Sequence, residues 1–187
     1  MYIINNMNIN FQYQFHKVLF LPVNKKNYHK NNFIPISWEL LLKSDGSFTQ
    51  DLNSLTGQLI QVEILSLYNN IKVKNDYTIR EVWIKDQQGN KLAFAKSIWP
   101  RSMKKHLLVN LPTNQPIGQS LIQFKIDIHK DIHEIFYGYC QYLEKHFNYN
   151  GPMWGRKYTL YYENKKLATV QEIFSPQILK LFHSTTL

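Results

Sequence analysis

The spacing of apolar and polar residues changes along the chain, from a helical pattern to the alternation typical of strands. Ser37 can act as the N-cap of a helix over the apolar run 38–42, and the polar stretch 44–47 ends that helix. Thr49 can cap a second, short helix that ends at Gly57. Two consecutive helices are therefore predicted ahead of the strands.

Alternating apolar residues then predict a series of strands. They cover residues 59–67, 77–85, 92–99, 131–140, 156–163 and 167–174. Turn residues join the second strand to the third and the fifth to the sixth, so two hairpins are expected. The segment 131–140 also fits helical spacing. Three other segments are predicted as a proline-rich loop over 111–118, a short helix over 119–124 and a C-terminal helix from Pro176.

Consecutive hairpins flanked by helices predict an α+β fold, with a central antiparallel sheet covered on one side by helices. Residues 35–187 form this domain. Residues 1–34 are rich in Asn, Gln and Lys and show little periodicity, which predicts an irregular or partly strand-like N-terminal extension. With 187 residues the chain is long enough for a core and an internal pocket.

The basic residues are unevenly divided, because nineteen lysines stand against only three arginines. Asn, Ile, Lys and Tyr are abundant, whereas Ala, Arg and Gly are sparse, and an A+T-rich genome such as a plastid's drifts toward this composition. Lysine serves where only charge is needed, but it is a poor substitute for the planar arginine fork that binds a carboxylate. Specific tasks are therefore expected for the arginines, above all for Arg80 and Arg156.

The formal net charge of +9 raises the question of a nucleic-acid partner. The lysines are scattered and no recognition-helix, zinc-finger or RNA-binding motif is present, so no nucleic-acid partner is expected. No apolar run approaches the ~18 residues of a membrane span, and neither a signal peptide nor a transit peptide is predicted. The single Cys140 excludes an internal disulfide and suits a reducing compartment.

Two charged residues fall on apolar faces of predicted strands. Arg80 alternates in phase with Val82, and Glu172 alternates in phase with Val170. One interpretation is structural: Arg80 and Glu172 form a pair with each other in the sheet, or the strand faces that carry them are both exposed. The other is a closed apolar pocket with a cation at one end for a ligand carboxylate and an acid at the other. Glu81 lies on the opposite face from Arg80 and is expected to be structural.

Three further segments could carry chemistry. Pro116-Ile117-Gly118 allows the backbone to approach a ligand closely, although an ordinary loop has the same composition. Trp154-Gly155-Arg156 fits a tight strand entry with a stacked Trp, or simple core packing. His129 and His133 lie four residues apart, but they lack the order of zinc peptidases and a third ligand, so no metal site is expected.

Five motifs in register resemble chorismate lyase (chorismate pyruvate-lyase) over residues 36–176. They are Trp38-Glu39-Leu40-Leu41-Leu42 with Ser47-Phe48-Thr49, Arg80-Glu81-Val82, Pro116-Ile117-Gly118, Trp154-Gly155-Arg156 and Glu172-Ile173-Phe174-Ser175-Pro176. The chain looks closest to the branch of this family found in cyanobacteria and encoded in algal plastids.

The resemblance implies an internal ligand cavity closed by helical flaps, and conversion of chorismate to 4-hydroxybenzoate and pyruvate without metal or cofactor. It implies that Arg80 binds the ring carboxylate and that Glu172 faces the 4-hydroxyl end. The loop at Ile117 and Gly118 would contribute backbone contacts, and Phe48 would belong to the cavity wall. Gln119 stands where the bacterial enzyme has an arginine, so the resemblance does not indicate which group holds the second, enolpyruvyl carboxylate.

These residues suit the reaction, which needs orientation and desolvation more than a strong nucleophile. Glu172 in an apolar wall would have a raised pKa and move a proton near C4. We expect a monomer with chorismate as its partner, in the plastid stroma and plastid-encoded, with a bacterial cytoplasm as the alternative location. Two other functions remain: a non-catalytic aromatic-acid-binding module of the same fold, or an adaptor that uses the basic surface.

Overall fold

The computed structural model describes residues 14–23, 33–72, 75–100 and 127–183. The strands in these ranges are β1 (His16–Pro22), β2 (Gln61–Lys72), β3 (Asn75–Lys85), β4 (Lys91–Pro100), β5 (His129–Tyr139), β6 (Met153–Tyr162) and β7 (Lys165–Phe174). The helices are α1 (Ile36–Lys43), α2 (Phe48–Thr56), α3 (Gln141–Phe147) and α4 (Leu179–His183), with a 3-10 turn at Pro176–Ile178.

The described strands form one seven-stranded sheet in the order β1-β5-β6-β7-β4-β3-β2. Every neighbouring pair in this order is antiparallel. The β2–β3–β4 meander makes one half of the sheet and β1, β5, β6 and β7 make the other, and the pairing of β4 with β7 joins the halves. The predicted α+β class with a central antiparallel sheet is confirmed.

The segment 131–140, which fitted both strand and helix spacing, is strand β5. Strand β1 comes from the stretch predicted to be irregular or partly strand-like, and it pairs with β5 at the edge of the sheet. The loop and helix predicted over 111–118 and 119–124 lie outside the described residues.

The predicted N-caps of α1 and α2 are wrong, because each helix begins earlier than its predicted cap. The carbonyl of Pro35 accepts the first hydrogen bond of α1, from the backbone N–H of Trp38, so Ser37 lies inside the first turn. The carbonyl of Ser47 does the same for α2, so Thr49 also lies inside its helix. The predicted end of α2 at Gly57 is confirmed, with φ 62° in the left-handed region that favours glycine.

Helices flank both faces of the sheet, not one as predicted. On the face opposite α1 and α2, Leu143 and Phe147 of α3 pack with Trp83 and Ile173 in a second apolar cluster. The sequence analysis did not predict α3, because a helix of seven residues carries only these two apolar positions at helical spacing.

Glu81 lies on the face opposite Arg80, as predicted. Its carboxylate forms a buried ion pair with Lys96, at 2.9 Å between Nζ and Oε1, and accepts a hydrogen bond from Ser66. This arrangement supports the structural role expected of Glu81.

The antiparallel register gathers the candidate residues on the face that α1 and α2 cover. Paired residues of antiparallel strands project to the same side of the sheet. Two adjacent rows of cross-strand partners on this face run Arg80–Ser97–Val170–Tyr158 and Val82–Ala95–Glu172–Arg156. Arg80 and Glu172 therefore belong to one surface, in neighbouring rows and two strands apart.

Candidate functional site

A cavity of about 210 Å³ lies between this face of the sheet and the segment 45–49, which leads from α1 into α2. Much of its wall is aliphatic, including Val82, Ile84, Leu160 and Val170. Ligand pockets for drug-sized molecules are typically about 300–1,000 Å³. The cavity therefore suits a smaller ligand, with one ring and few substituents.

Arg80 places a cation in this aliphatic wall. The central strand β3 presents it beside Val82 and Ile84, as the alternation predicted, and only 8% of the residue is exposed. Burial lowers the pKa of Arg80 to about 10, so the guanidinium is charged at neutral pH but poorly solvated. A carboxylate is the natural counterpart of such a group, because the pair recovers part of the cost of burying the charge.

Glu172 lies at the other side of the β4–β7 pairing and is held by two residues of β6. Its Oε2 accepts a hydrogen bond from Nε of Arg156 at 2.7 Å, and its Oε1 accepts one from the Tyr158 hydroxyl at 2.9 Å. The structure thus pairs Glu172 with Arg156, whereas the structural interpretation of the sequence paired it with Arg80. Glu172 lies in a largely aliphatic wall, as expected, but both of its oxygens accept hydrogen bonds from polar side chains.

Tyr158 lines the cavity beside Glu172, and the sequence analysis did not select it. Burial and the neighbouring Glu172 carboxylate raise the pKa of Tyr158 well above its usual value. Its hydroxyl therefore stays protonated and can donate. Its alternation in phase with Arg156 was visible in the sequence, but only the register of β6 with β7 places both residues on the face of Glu172.

Arg156 connects the sheet to α1. It is completely buried, and Nη1 donates to the carbonyl oxygens of Leu41 at 2.6 Å and Ser44 at 2.9 Å, at the end of that helix. Burial is the largest single effect and would lower the pKa of Arg156. Glu172, Tyr158 and Asp51 together outweigh it, and the net shift of this pKa is upward. The Trp154-Gly155-Arg156 motif therefore supplies a charged link between the cavity floor and the helix that covers it.

The other two residues of this motif fill space closely. Trp154 is buried and packs on Tyr137, with 4.6 Å between ring centroids, as the core-packing interpretation expected. Gly155 lies against the ring of Phe136 and the carbonyl oxygen of Glu172. Strand β6 can approach β7 at this point because position 155 has no side chain.

Replacement of Gly155 by alanine should lower the free energy of unfolding by about 1–3 kcal/mol, the usual cost of overpacking. The added Cβ would collide with Phe136 and lie 2.7 Å from the Glu172 carbonyl oxygen. Urea unfolding measures the change, and Gly46→Ala is the matched control because its Cβ would meet its nearest neighbour, Asp51, at 3.4 Å. Equal stability of the two variants would contradict the close contact at Gly155.

Lys130 is a second cavity-lining cation that the sequence analysis did not single out. Strand β5 places it opposite Leu160 of β6, and its Nζ donates to the carbonyl oxygens of Ser44 and Gly46. Burial lowers the pKa of Lys130 to about 8, so it is mostly protonated at pH 7. The available signal was a lysine in phase with apolar Ile132, which one lysine among nineteen did not make conspicuous.

Phe48 begins α2, lines the cavity and packs edge-on against Phe174, with 4.9 Å between ring centroids. Arg80, Phe48 and Glu172 thus meet around one cavity, although their binding roles remain predictions. Ile117, Gly118 and Gln119 lie outside the described residues, so their predicted contacts are not placed.

Within the described ranges, no three His, Cys, Asp or Glu side chains come together as a metal-binding group. His133 instead makes a 2.7 Å hydrogen bond to the Thr159 hydroxyl, and burial lowers its pKa. None of the described helices has the length and apolar character needed to cross a membrane.

Comparison with known proteins identifies the family. The family model described as "Chorismate pyruvate-lyase Rv2949c-like" matches residues 42–182, a range that includes Arg80, Lys130, Arg156 and Glu172. The chain belongs to the Rv2949c-like chorismate pyruvate-lyase family. The resemblance seen in the sequence motifs is thereby confirmed.

Curated relatives extend this family assignment across most of the chain. The protein ycf21 of Antithamnion sp. is 38% identical over 179 residues, which are 95% of this chain and 100% of the relative. The protein ycf21 of Porphyra purpurea is 40% identical over 151 residues, 79% of this chain and 86% of the relative. The protein ycf21 of Cyanophora paradoxa is 30% identical over 152 residues, 75% and 78% of the two chains.

Solved structures share the fold of this family member. The effector domain of PhnF from Mycobacterium smegmatis superposes with a TM-score of 0.56 at 9% identity, over 71% of this chain and 90% of that domain. The gene product SA0254 of Staphylococcus aureus gives 0.52 at 11% identity, over 71% and 90%. At these identities the likeness concerns the fold alone.

Proposed function

We propose that this family member is a chorismate lyase, which converts chorismate to 4-hydroxybenzoate and pyruvate without a cofactor. The observation that carries the proposal is a small aliphatic cavity with the buried cation of Arg80 and the carboxylate of Glu172 on its wall. By ordinary sheet spacings their Cα atoms are about 12 Å apart, so their side chains leave room for one ring. The family match supports the same substrate.

In the proposed complex Arg80 binds the ring carboxylate as a two-pronged donor and fixes the ring in the cavity. The ring then extends across the β4–β7 pairing toward Glu172, which accepts a hydrogen bond from the C4 hydroxyl. Each carboxylate oxygen has more than one lone pair, so Glu172 can accept this bond while it keeps those from Arg156 and Tyr158.

The reaction breaks the C3–O bond, and its electron pair leaves with the enolpyruvyl oxygen. The proton on C4 is lost, the C4–H electrons complete the aromatic ring, and the enolpyruvate takes up a proton to give pyruvate. We propose that Glu172 receives the C4 proton, because it is a carboxylate that lines the cavity across the β4–β7 pairing from Arg80. The aliphatic wall excludes water from the ring, and aromatisation drives the elimination.

The product would supply a ring for quinone synthesis, and plastoquinone is the quinone we propose. Relatives named ycf21 come from the algae Antithamnion sp. and Porphyra purpurea, which supports plastid encoding. The A+T-biased composition agrees with this origin. We propose the plastid stroma as the location.

The proposal is tested by incubating the purified protein with chorismate and measuring 4-hydroxybenzoate by chromatography. Glu172→Gln should lower kcat by about 10²- to 10⁴-fold, the usual contribution of a positioned acid–base group. Glu63→Gln is the matched control. Glu63 lies on the edge strand β2, is half exposed and forms an ion pair with Lys85 of β3. Thermal unfolding of both variants separates loss of chemistry from loss of fold.

Two results would indicate a different function. Saturable binding of 4-hydroxybenzoate without any product would indicate the non-catalytic aromatic-acid-binding module. Neither binding nor turnover, together with steeply salt-dependent binding to an acidic macromolecule, would indicate the adaptor that uses the basic surface.

A further inference from the structure

Chorismate carries two carboxylates, on the ring and on the enolpyruvyl ether at C3, but Arg80 can anchor only one of them. Among the charged groups of the described cavity wall, Glu172 is already compensated by its ion pair with Arg156. Arg80 and Lys130 are the two remaining cations of this wall. Asp45 also lines the wall, so its charges do not sum to two, but the two cations provide one partner for each carboxylate of chorismate.

We propose that Lys130 binds the second carboxylate of the substrate, the one on the C3 ether side chain. This inference rests on the proposed function, since it concerns how chorismate lies in the same cavity. Lys130 would be a specificity-determining residue that selects a dicarboxylate over the monocarboxylate product.

The position of Lys130 relative to Glu172 fits the shape of chorismate. Nζ of Lys130 lies over the ring of Tyr158, 4.7 Å from its centroid, and the hydroxyl of Tyr158 donates to Glu172. Lys130 is therefore next to the end of the cavity at which the C4 hydroxyl would lie. C3 is the neighbour of C4, so an ether substituent on C3 would project beside Glu172 and not toward Arg80.

The hydrogen bonds of Lys130 leave it able to bind an anion. Among the residues that the structure describes, Nζ donates to two neutral carbonyl oxygens, of Ser44 and Gly46. An ammonium has three donors, and a bond to a carboxylate is about twice as strong as a bond to a neutral acceptor. The third donor can therefore bind a carboxylate without release of the segment 44–46.

The burial of Lys130 also favours an anionic ligand, although three carboxylates lie near it. Burial has the largest effect on its pKa and lowers it, and Arg156 lowers it further, whereas Glu172, Asp51 and Asp45 raise it. The net result is a pKa of about 8, so the protonated form is disfavoured relative to an exposed lysine. A bound carboxylate would stabilise the ammonium, and at pH 7 the group is already charged.

The test compares three ligands by isothermal titration calorimetry at pH 7, so that it needs binding and not turnover. They are 4-hydroxybenzoate, 3-(carboxymethoxy)-4-hydroxybenzoate, and the amide made from the side-chain carboxylate of the second. The wild-type protein should bind the dicarboxylate about 10- to 100-fold more tightly than the amide, the usual range for a hydrogen bond to a charged group.

Lys130→Met should reduce the preference for the dicarboxylate over the amide to less than about threefold. It should leave the affinity for 4-hydroxybenzoate within about threefold of wild type. A threefold change in affinity is smaller than the contribution of one hydrogen bond to a charged group. Lys130→Arg should retain part of the preference. Lys157→Met is the matched control, because it also removes one lysine charge. Lys157 lies on β6, on the opposite face of the sheet, where it pairs in register with Gln171. This variant should keep the full preference for the dicarboxylate.

Several results would overturn the inference. One is a preference that persists in Lys130→Met, and another is an equal loss of affinity for all three ligands in that variant, which would show that Lys130 only holds the segment 44–46. Absence of product from chorismate would overturn the proposed lyase function alone, provided that the Lys130-dependent preference is measured. Failure of all three ligands to bind the wild-type protein would overturn both.

Discussion

Replacement of Arg80 by methionine should weaken the binding of 4-hydroxybenzoate by about 2–5 kcal/mol, the usual cost of removing one partner from a buried charge pair. Arg80 contributes a desolvated cation to an aliphatic wall, and methionine fills similar space without the charge. Each 1.4 kcal/mol corresponds to a tenfold change in the dissociation constant, so calorimetry resolves the effect easily. kcat/KM for chorismate should fall by at least the same factor.

Arg80→Lys separates charge from geometry. Lysine keeps the positive charge but cannot make the planar two-pronged contact, so we expect only partial recovery of affinity. Lys85→Met is the matched control, because Lys85 lies on the same strand, outside the cavity, and pairs with Glu63. Wild-type catalytic efficiency in Arg80→Lys would show that the anchoring role is wrong.

Replacement of Arg156 by methionine should lower the free energy of unfolding by about 3–5 kcal/mol, because it leaves Glu172 as a buried charge without its counterion. The carbonyl oxygens of Leu41 and Ser44 would lose a donor as well, which loosens the end of α1 over the cavity. Urea unfolding followed by tryptophan fluorescence measures the loss. A decrease below 1 kcal/mol would contradict the structural importance of this link.

A double variant distinguishes lost charge compensation from lost packing. Arg156→Met combined with Glu172→Leu removes both charges, and it should recover part of the stability lost in the single variant. Lys43→Met is the control for an ordinary ion pair, since it breaks the i,i+4 ion pair with Glu39 on α1. That change should cost less than about 1 kcal/mol.

The sequence predicted the sheet well because its strands alternate clearly, and alternation placed Arg80 and Glu172 on apolar faces but left open whether those faces are buried. It did not predict that Arg156 is the partner of Glu172. Glu163 and Asn164 form the turn between β6 and β7, with φ values of 47° and 61°. If the register continued unbroken from this turn, Arg156 would pair with Gln171. A register shift between Leu160 and Tyr161 moves the pairing by one residue.

That shift decides which face Arg156 occupies, because a slip of one residue turns every side chain of a strand to the other side of the sheet. A bulge depends on packing between strands that are already paired, so the local pattern of the β6–β7 hairpin does not reveal it. Lys130 was missed for a different reason. In a chain rich in lysine, one lysine in an apolar pattern is easily attributed to composition.

The pairing of β4 with β7 has a consequence for the lifetime of the folded chain. It joins two halves that lie far apart in sequence, and Arg80 belongs to one half while Glu172 belongs to the other. A ligand held between these residues would contact both halves of the sheet, and it would stabilise the folded protein by RT ln(1 + [L]/Kd). The supply of ligand would then govern how long each molecule resists proteolysis, as well as how fast it works.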